Sequence, residues 1–377
     1  MLALLSVAEL LSMSLWFAAS AVAPELAARW ELTPSQVGLL STVVQIGFVA
    51  GTALAAILNL ADTIPSRFYF AAAALLGAGA NVLLLIAPGF EVALVGRFLT
   101  GACLAGVYPP AMKMIATWYD SGRGLAIGTI VGALTVGKAG PYLVHALPFA
   151  TADGVVLSAT GAAIAASVMV LAGYRDGPHV FRRAPFSWSL VGEVLRGREY
   201  RLALGGYLGH MWELYSYWVW VPAFLAAATT LSAAEVNVFT FATFAAGGIG
   251  CVVGGRIADR VGYARLTIWA MALSGTCALL TPAVFGGALP ILVVVMLIWG
   301  ASVVADSAQF STVVTKAVPS HAVGTALTLQ TSLGFLLTTV SIQAVPPVVA
   351  AVGWRWVFPM LAIGPVVGIM SMRRLRV

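Results

Sequence analysis

Apolar runs of about 20 residues recur along the chain, each closed by a glycine, a proline or a charged residue. A helix rises about 1.5 Å per residue, so a run of that length crosses a hydrocarbon layer of about 30 Å. Counting such windows predicts about twelve spans, near 2–22, 36–60, 67–88, 92–115, 124–147, 154–173, 202–227, 236–257, 265–286, 289–314, 322–346 and 356–372. An outer-membrane barrel would alternate apolar and polar residues over segments of about 10, and no such alternation is present. The first run, Leu2 to Val22, opens without a basic segment or a cleavage site and is read as a retained helix rather than a signal peptide. The expected class is an all-α membrane protein.

The longest polar stretch, Tyr174 to Arg201, interrupts the pattern between the sixth and seventh runs. It predicts a first six-helix bundle over 1–173, a cytoplasmic linker over 174–201 with a surface helix around Trp188 to Leu195, and a second six-helix bundle over 202–377. A slide of about 197 residues brings Asp62 onto Asp259 and Gly51 onto Gly248. A slide one shorter superposes Ala126-Ile127-Gly128-Thr129 on Ala322-Val323-Gly324-Thr325. Two pseudo-symmetric bundles of this kind place a binding site between them near the midplane.

Composition agrees with the pattern. Of the 377 residues, 60% are hydrophobic and 9% charged, against about 25% charged in ordinary soluble domains. Most of the outer surface must therefore meet lipid. The net charge of +6 does not point to nucleic acid, because of where it sits. With a cytoplasmic N-terminus, fifteen basic residues fall on the cytoplasmic side, including Arg67, Arg123, Arg175, Arg182, Arg183 and Lys316, and only Arg29 and Arg355 fall outside. Short basic loops resist translocation, so both termini are expected in the cytoplasm of a multi-pass cell (plasma or inner) membrane protein. Cys103, Cys251 and Cys277 lie inside apolar runs and imply neither disulfides nor a metal cluster. The four histidines are scattered, and no nucleophile constellation, metal-ligand spacing or phosphate loop is present. An enzyme, a cofactor and a catalytic or metal site are not expected.

Between the eighth and ninth runs stands Gly255-Arg256-Ile257-Ala258-Asp259-Arg260-Val261-Gly262. This matches the loop signature Gly, three residues, Asp, basic, any, Gly, and with the span count and the central linker the chain resembles the major facilitator superfamily of secondary transporters over essentially its full length. The resemblance implies a gating loop of Gly255, Asp259, Arg260 and Gly262, in which the acid and the base contact a neighbouring helix end at the cytoplasmic face. The equivalent first-half loop keeps Asp62 and Arg67 but has Thr63 where a base is usual, Pro65 for the second glycine and Leu58 for the first. The fourth run, from Arg97-Phe98-Leu99-Thr100-Gly101 to Gly106 and Tyr108-Pro109-Pro110, is similar to the family's fourth helix. Gly132, Gly137, Gly140 and Pro141 in the fifth run resemble the antiporter pattern only loosely, since small residues serve helix packing in any membrane bundle.

A charge at the bilayer centre costs about 2.5–3.5 kcal/mol even on the lenient insertion scale, so each one marks a functional candidate. They are Glu9 in the first run, Arg97 and Lys113 in the fourth, Lys138 in the fifth, His210 and Glu213 in the seventh and Asp306 in the tenth. The resemblance implies that these helices line a central cavity. Lys138 lies too deep to reach either surface and is the expected anion-binding cation, a structural pair with Glu9 or another acid being the alternative; Tyr108, Trp212 and Tyr215 are further substrate contacts, and Arg97 either binds substrate or fixes the fourth span against a neighbour. His210 and Glu213, three apart on one helix, are expected to share a face and exchange protons near neutral pH, with Asp306 and Glu9 as further proton-coupling acids. Lys113 is read as reaching a helix end, and Tyr217, Trp218 and Trp220 as part of an outer aromatic belt.

The function expected is a single-chain, monomeric secondary transporter that moves a small solute, an organic or inorganic anion, by alternating access coupled to protons in symport. Proton-driven efflux of hydrophobic or cationic compounds is the alternative within transport, favoured by the acids and aromatics. A non-transporting membrane sensor on the same scaffold is the alternative from another class. The partners are the small-molecule substrate, protons and the lipid bilayer.

Overall fold

The computed structural model describes residues 1–119, 123–179 and 186–376, and within them every side chain but those of Ala61, Asp62 and Arg123. Asp62 of the expected gating loop, with Arg123, Arg182 and Arg183 of the basic set, thus lies outside the described residues or side chains. Every regular element described is a helix. The first half contains α1 (Leu2–Met13), α2 (Ala18–Ala21), α3 (Ala23–Trp30), α4 (Pro34–Ile57), α5 (Leu60–Thr63), α6 (Ser66–Ile86), α7 (Phe90–Leu104), α8 (Tyr108–Ala116), α9 (Arg123–His145) and α10 (Ala152–Gly173). The linker helix is α11 (Trp188–Arg196). The second half contains α12 (Arg198–Ala228), α13 (Ala233–Val261), α14 (Tyr263–Val284), α15 (Leu289–Ala305), α16 (Ser307–Ala317), α17 (Val323–Val352), α18 (Trp354–Val357) and α19 (Ile363–Met372).

Among the described residues, 10 helical segments are long and apolar enough to cross a membrane. The other two predicted runs correspond to the broken α1–α3 and to α12, which is 31 residues long but carries charge through its inner half. Several helices start earlier than hydropathy alone predicts, because polar caps extend them. Thr33 and Gln36 form a capping box on α4, with Pro34 in its first turn, and Ser232 and Glu235 do the same for α13.

Three predicted spans are broken near mid-depth. The fourth divides between α7 and α8 because Pro109 and Pro110 cannot donate to the preceding turn. The tenth divides at Asp306, which ends α15 and precedes α16. The first divides at residues 14–17, where the backbone turns without continuing the helix.

Within the first half, α1 packs on α9 and α10, and α4 and α6 on α7. Within the second, α12 packs on α17 and α19, and α14 on α15 and α19. The halves meet along two seams, α9 with α13 and α4 with α17. The first seam is a close backbone approach: a Cβ placed on Gly132 would lie 2.7 Å from the Gly248 carbonyl oxygen, so only glycine fits. The second is hydrogen-bonded, with Gln343 Nε2 donating to Thr42 Oγ1 at 3.0 Å. Large apolar side chains such as Leu76, Ile249, Leu279 and Val340 are exposed on the outer surface, as a lipid-facing protein requires.

Candidate functional site

Where the two halves face each other the structure encloses a cavity of about 70 Å³. Its wall takes Trp16, Tyr108 and Lys138 from the first half and Tyr215, Trp218 and Phe335 from the second. Lys138 is fully buried, with Nζ donating to the Tyr215 hydroxyl at 2.6 Å. The ammonium also lies 4.2 Å from the Trp16 ring centroid, 4.7 Å from that of Tyr215 and 5.0 Å from that of Trp218. Desolvated cation–π contacts are worth about 2 kcal/mol each, which offsets part of the cost of burying the charge. Among the described residues no carboxylate stands within ion-pair distance of Lys138.

A larger cavity of about 410 Å³ opens beyond this site, lined by Glu25, Tyr142, His145, Trp220 and Asn237. Phe17, Trp218 and Phe244 separate the two cavities, with Trp218 stacked on Phe244 at 4.9 Å and Phe17 edge-on to Phe244 at 5.7 Å. At its rim His145 Nε2 lies 2.8 Å from Glu25 Oε1, and His145 Nδ1 lies 2.7 Å from the Ala21 carbonyl. A third cavity, of about 500 Å³, lies at the opposite end around Asp259, Tyr263 and Lys316.

Arg97 does not reach the central cavity, contrary to its expected contact with substrate. Its guanidinium donates to Asn81 Oδ1 at 3.1 Å and to the carbonyls of Leu15 at 3.1 Å and Trp16 at 2.5 Å. Those carbonyls belong to the break between α1 and α2, where no helical N–H donates to them. Arg97 therefore holds the first span in its broken form, and it positions Trp16 at the cavity.

The expected pairing of His210 with Glu213 is also corrected. His210 Nδ1 lies 2.9 Å from Asp306 Oδ1, and its Nε2 lies 3.0 Å from Ser307 Oγ. Glu213 instead accepts from Ser274 Oγ and Trp299 Nε1, both at 2.7 Å. Three residues along a helix turn about 60° round its axis, enough for different neighbours to claim the two side chains. One faces the α15–α16 break and the other faces α14 and α15. Trp212 points away from the cavity as well, donating from Nε1 to the Met360 carbonyl at 3.2 Å.

Glu9 is fully buried, within electrostatic reach of Lys138 and Tyr108, and neither of its carboxylate oxygens has a hydrogen-bond partner. In the gating loop, Gly262 ends α13 at φ 94°, a left-handed conformation that favours glycine. Asp259 borders the first turn of α9, so that a Cβ on Gly124 would lie 3.0 Å from either carboxylate oxygen. An acid beside a helix N-terminus gains about 0.3–1 kcal/mol from the helix dipole. Gly255 approaches the Gly124 carbonyl, Tyr263 donates to Asp259 Oδ1 at 3.2 Å, and Arg260 is exposed. Arg67 in the first-half loop is exposed, its guanidinium 4.5 Å from the Phe68 ring centroid.

Sequence reasoning missed Trp16 and assigned Trp218 to a lipid-facing belt. Both are 1% exposed and close on Lys138, while Tyr217 and Trp220 are also buried, donating to the carbonyls of Met296 and Ile342. Trp16 stands in the break after α1, so no helical periodicity running from Glu9 marked it in the sequence.

The family model of the Major Facilitator Superfamily matches residues 5–342. A search of curated proteins returns no match to the chain. On the extent of the family match and the multi-spanning helical fold, the chain belongs to the Major Facilitator Superfamily and is a membrane-embedded secondary transporter.

Proposed function

We propose that this transporter carries a small anion through a site centred on Lys138, in symport with protons held by the His210–Asp306 pair. In this reading about twelve spans form two six-helix bundles, residues 1–173 and 202–377, joined by a cytoplasmic linker over 174–201, with both termini in the cytoplasm of the cell membrane. The bundles rock about the cavity between them, and the loop of Gly255, Asp259, Arg260 and Gly262 docked on α9 holds the cytoplasmic end shut.

The observation that carries the reading is the chemical state of Lys138. A structural cation is surrounded by acceptors, as Arg97 is, whereas Lys138 is buried between the halves with aromatic faces, a hydroxyl and no carboxylate in ion-pair contact. An anion that enters the cavity gains a Coulomb partner in a low-dielectric site. It also meets the nearby acids Glu9 and Asp306, and adding a proton to either removes a repulsion, which couples the two cargoes. A cationic drug would set its own charge against Lys138, and the proposal favours the anion for that reason.

The test is flux in proteoliposomes under an imposed pH gradient, acid outside, with a panel of labelled organic and inorganic anions. Uptake above equilibrium that collapses with the gradient, and that falls to background in Lys138→Ala, is the expected result. Flux indifferent to the gradient removes the coupling, and flux retained by Lys138→Ala removes the site.

A further inference from the structure

We propose that the cargo is a small, singly charged oxyanion, and that Trp16 and Trp218 recognise its oxygens through their indole N–H groups beside the Lys138 ammonium. This rests on the reading of Lys138 as the anion site and narrows it.

The described lining of the central cavity holds no carboxylate, and its acceptors are hydroxyls such as those of Tyr108, Ser307, Ser311 and Thr331. Trp16 Nε1 and Trp218 Nε1 are both buried and have no acceptor, although a buried N–H without a partner costs free energy. Both rings line the cavity and both stack on Lys138. The Tyr215 oxygen already accepts from Lys138, which leaves its own hydrogen free to donate. One ammonium, two indole N–H groups and a phenol hydrogen belong to this wall, with no carboxylate among the described lining residues to receive them. The cargo that completes this set brings oxygens carrying negative charge.

Charge and size follow from the same wall. Lys138 is the only charged residue among the described lining, so the site neutralises one negative charge. Glu9 within its electrostatic reach and Asp306, next in sequence to the lining Ser307, oppose a second. A cavity of about 70 Å³ is roughly twice the 30 Å³ share of one water in the liquid, which restricts the cargo to a few non-hydrogen atoms. Its aromatic walls stand close together, with Trp16 5.7 Å from both Tyr215 and Phe335 and Tyr215 5.2 Å from Phe335, measured between ring centroids. These rings pack against one another and wall one side of the cavity, which keeps it small.

The experiment is competition against labelled formate, acetate and nitrate in proteoliposomes of the full chain, with sulfate, succinate and tetraphenylphosphonium as the contrasting probes. At least one of the three monoanions is expected to be carried, and sulfate and succinate are expected not to compete. Trp16→Phe and Trp218→Phe keep a ring over Lys138 but remove the donor, and each should raise the half-saturation concentration roughly 10-fold, the loss of one charge-assisted hydrogen bond. The probe series on the unaltered protein decides charge and size even where a variant does not fold, and thermal melting of each variant identifies that case. Transport of sulfate or succinate in preference, none of the monoanions carried, or half-saturation within twofold in both folded tryptophan variants overturns the inference. Preference for a dianion lost in Lys138→Ala leaves the anion site standing, whereas transport of tetraphenylphosphonium alone, indifferent to Lys138→Ala, overturns both.

Discussion

Arg97 and Lys138 are both buried cations in the first half of the chain, yet their surroundings are opposite. The terminal nitrogens of Arg97 meet acceptors, the Asn81 amide oxygen and two carbonyls released where the first span breaks. Lys138 is held by three ring faces and one hydroxyl, and the indole N–H groups of its neighbours Trp16 and Trp218 have no acceptor. Burial of charge thus marks a costly residue but does not say what the cost supports. The partner sets differ: the terminal nitrogens of the guanidinium are spent on an amide oxygen and two carbonyls, whereas the ammonium meets no carboxylate, which on the proposed reading leaves it for a ligand. The two are also linked, because the break that Arg97 holds open is what presents Trp16 to Lys138.

The contrast is broken most directly by melting curves of two detergent-purified variants. Arg97→Lys retains the charge, but one ammonium cannot span Asn81 and both carbonyls, so stability is expected to fall by about 2–4 kcal/mol. Lys138→Ala removes a buried charge that makes no ion pair, and its melting point is expected to stay within a few degrees while transport is lost. Equal destabilisation of both would make Lys138 structural.

The acids of the second half offer a smaller version of the same test. Asp306→Asn breaks the contact with His210 and is expected to cut concentrative uptake about 10-fold while exchange of substrate across a membrane without a gradient persists. Glu213→Gln, whose carboxylate serves Ser274 and Trp299, is expected to change coupled uptake by no more than about twofold. The reverse ranking would transfer proton coupling to Glu213. Smallest of all should be Trp212→Phe, which loses a bond to the Met360 carbonyl outside the cavity; substrate half-saturation is expected to stay within about twofold.

The helical runs, the polar linker helix near Trp188 and the Gly255–Gly262 loop were legible in the sequence because each depends on local spacing. Lys138, Tyr108 and Tyr215 were legible as candidates, and the structure brings them to one cavity. The partners of Glu213 and Trp212 were not, and the sequence left Arg97 between substrate and helix packing, since a helix presents side chains in all directions and only the neighbours decide which direction is the cavity. Trp218 illustrates the difficulty: its depth along the helix suggested an interface, and its azimuth placed it beside Lys138 at 1% exposure.

By itself the sequence determined that this chain lives in lipid, how long its helices are and which charges the membrane must tolerate, because hydropathy and helix rise are local properties. Only the tertiary structure decided which of those charges are spent and which stay available. That depends on partners such as Leu15, Asn81 and Asp306, whose distances from Arg97 and His210 along the chain range up to 96 residues, and no local pattern encodes who meets whom across a packed bundle.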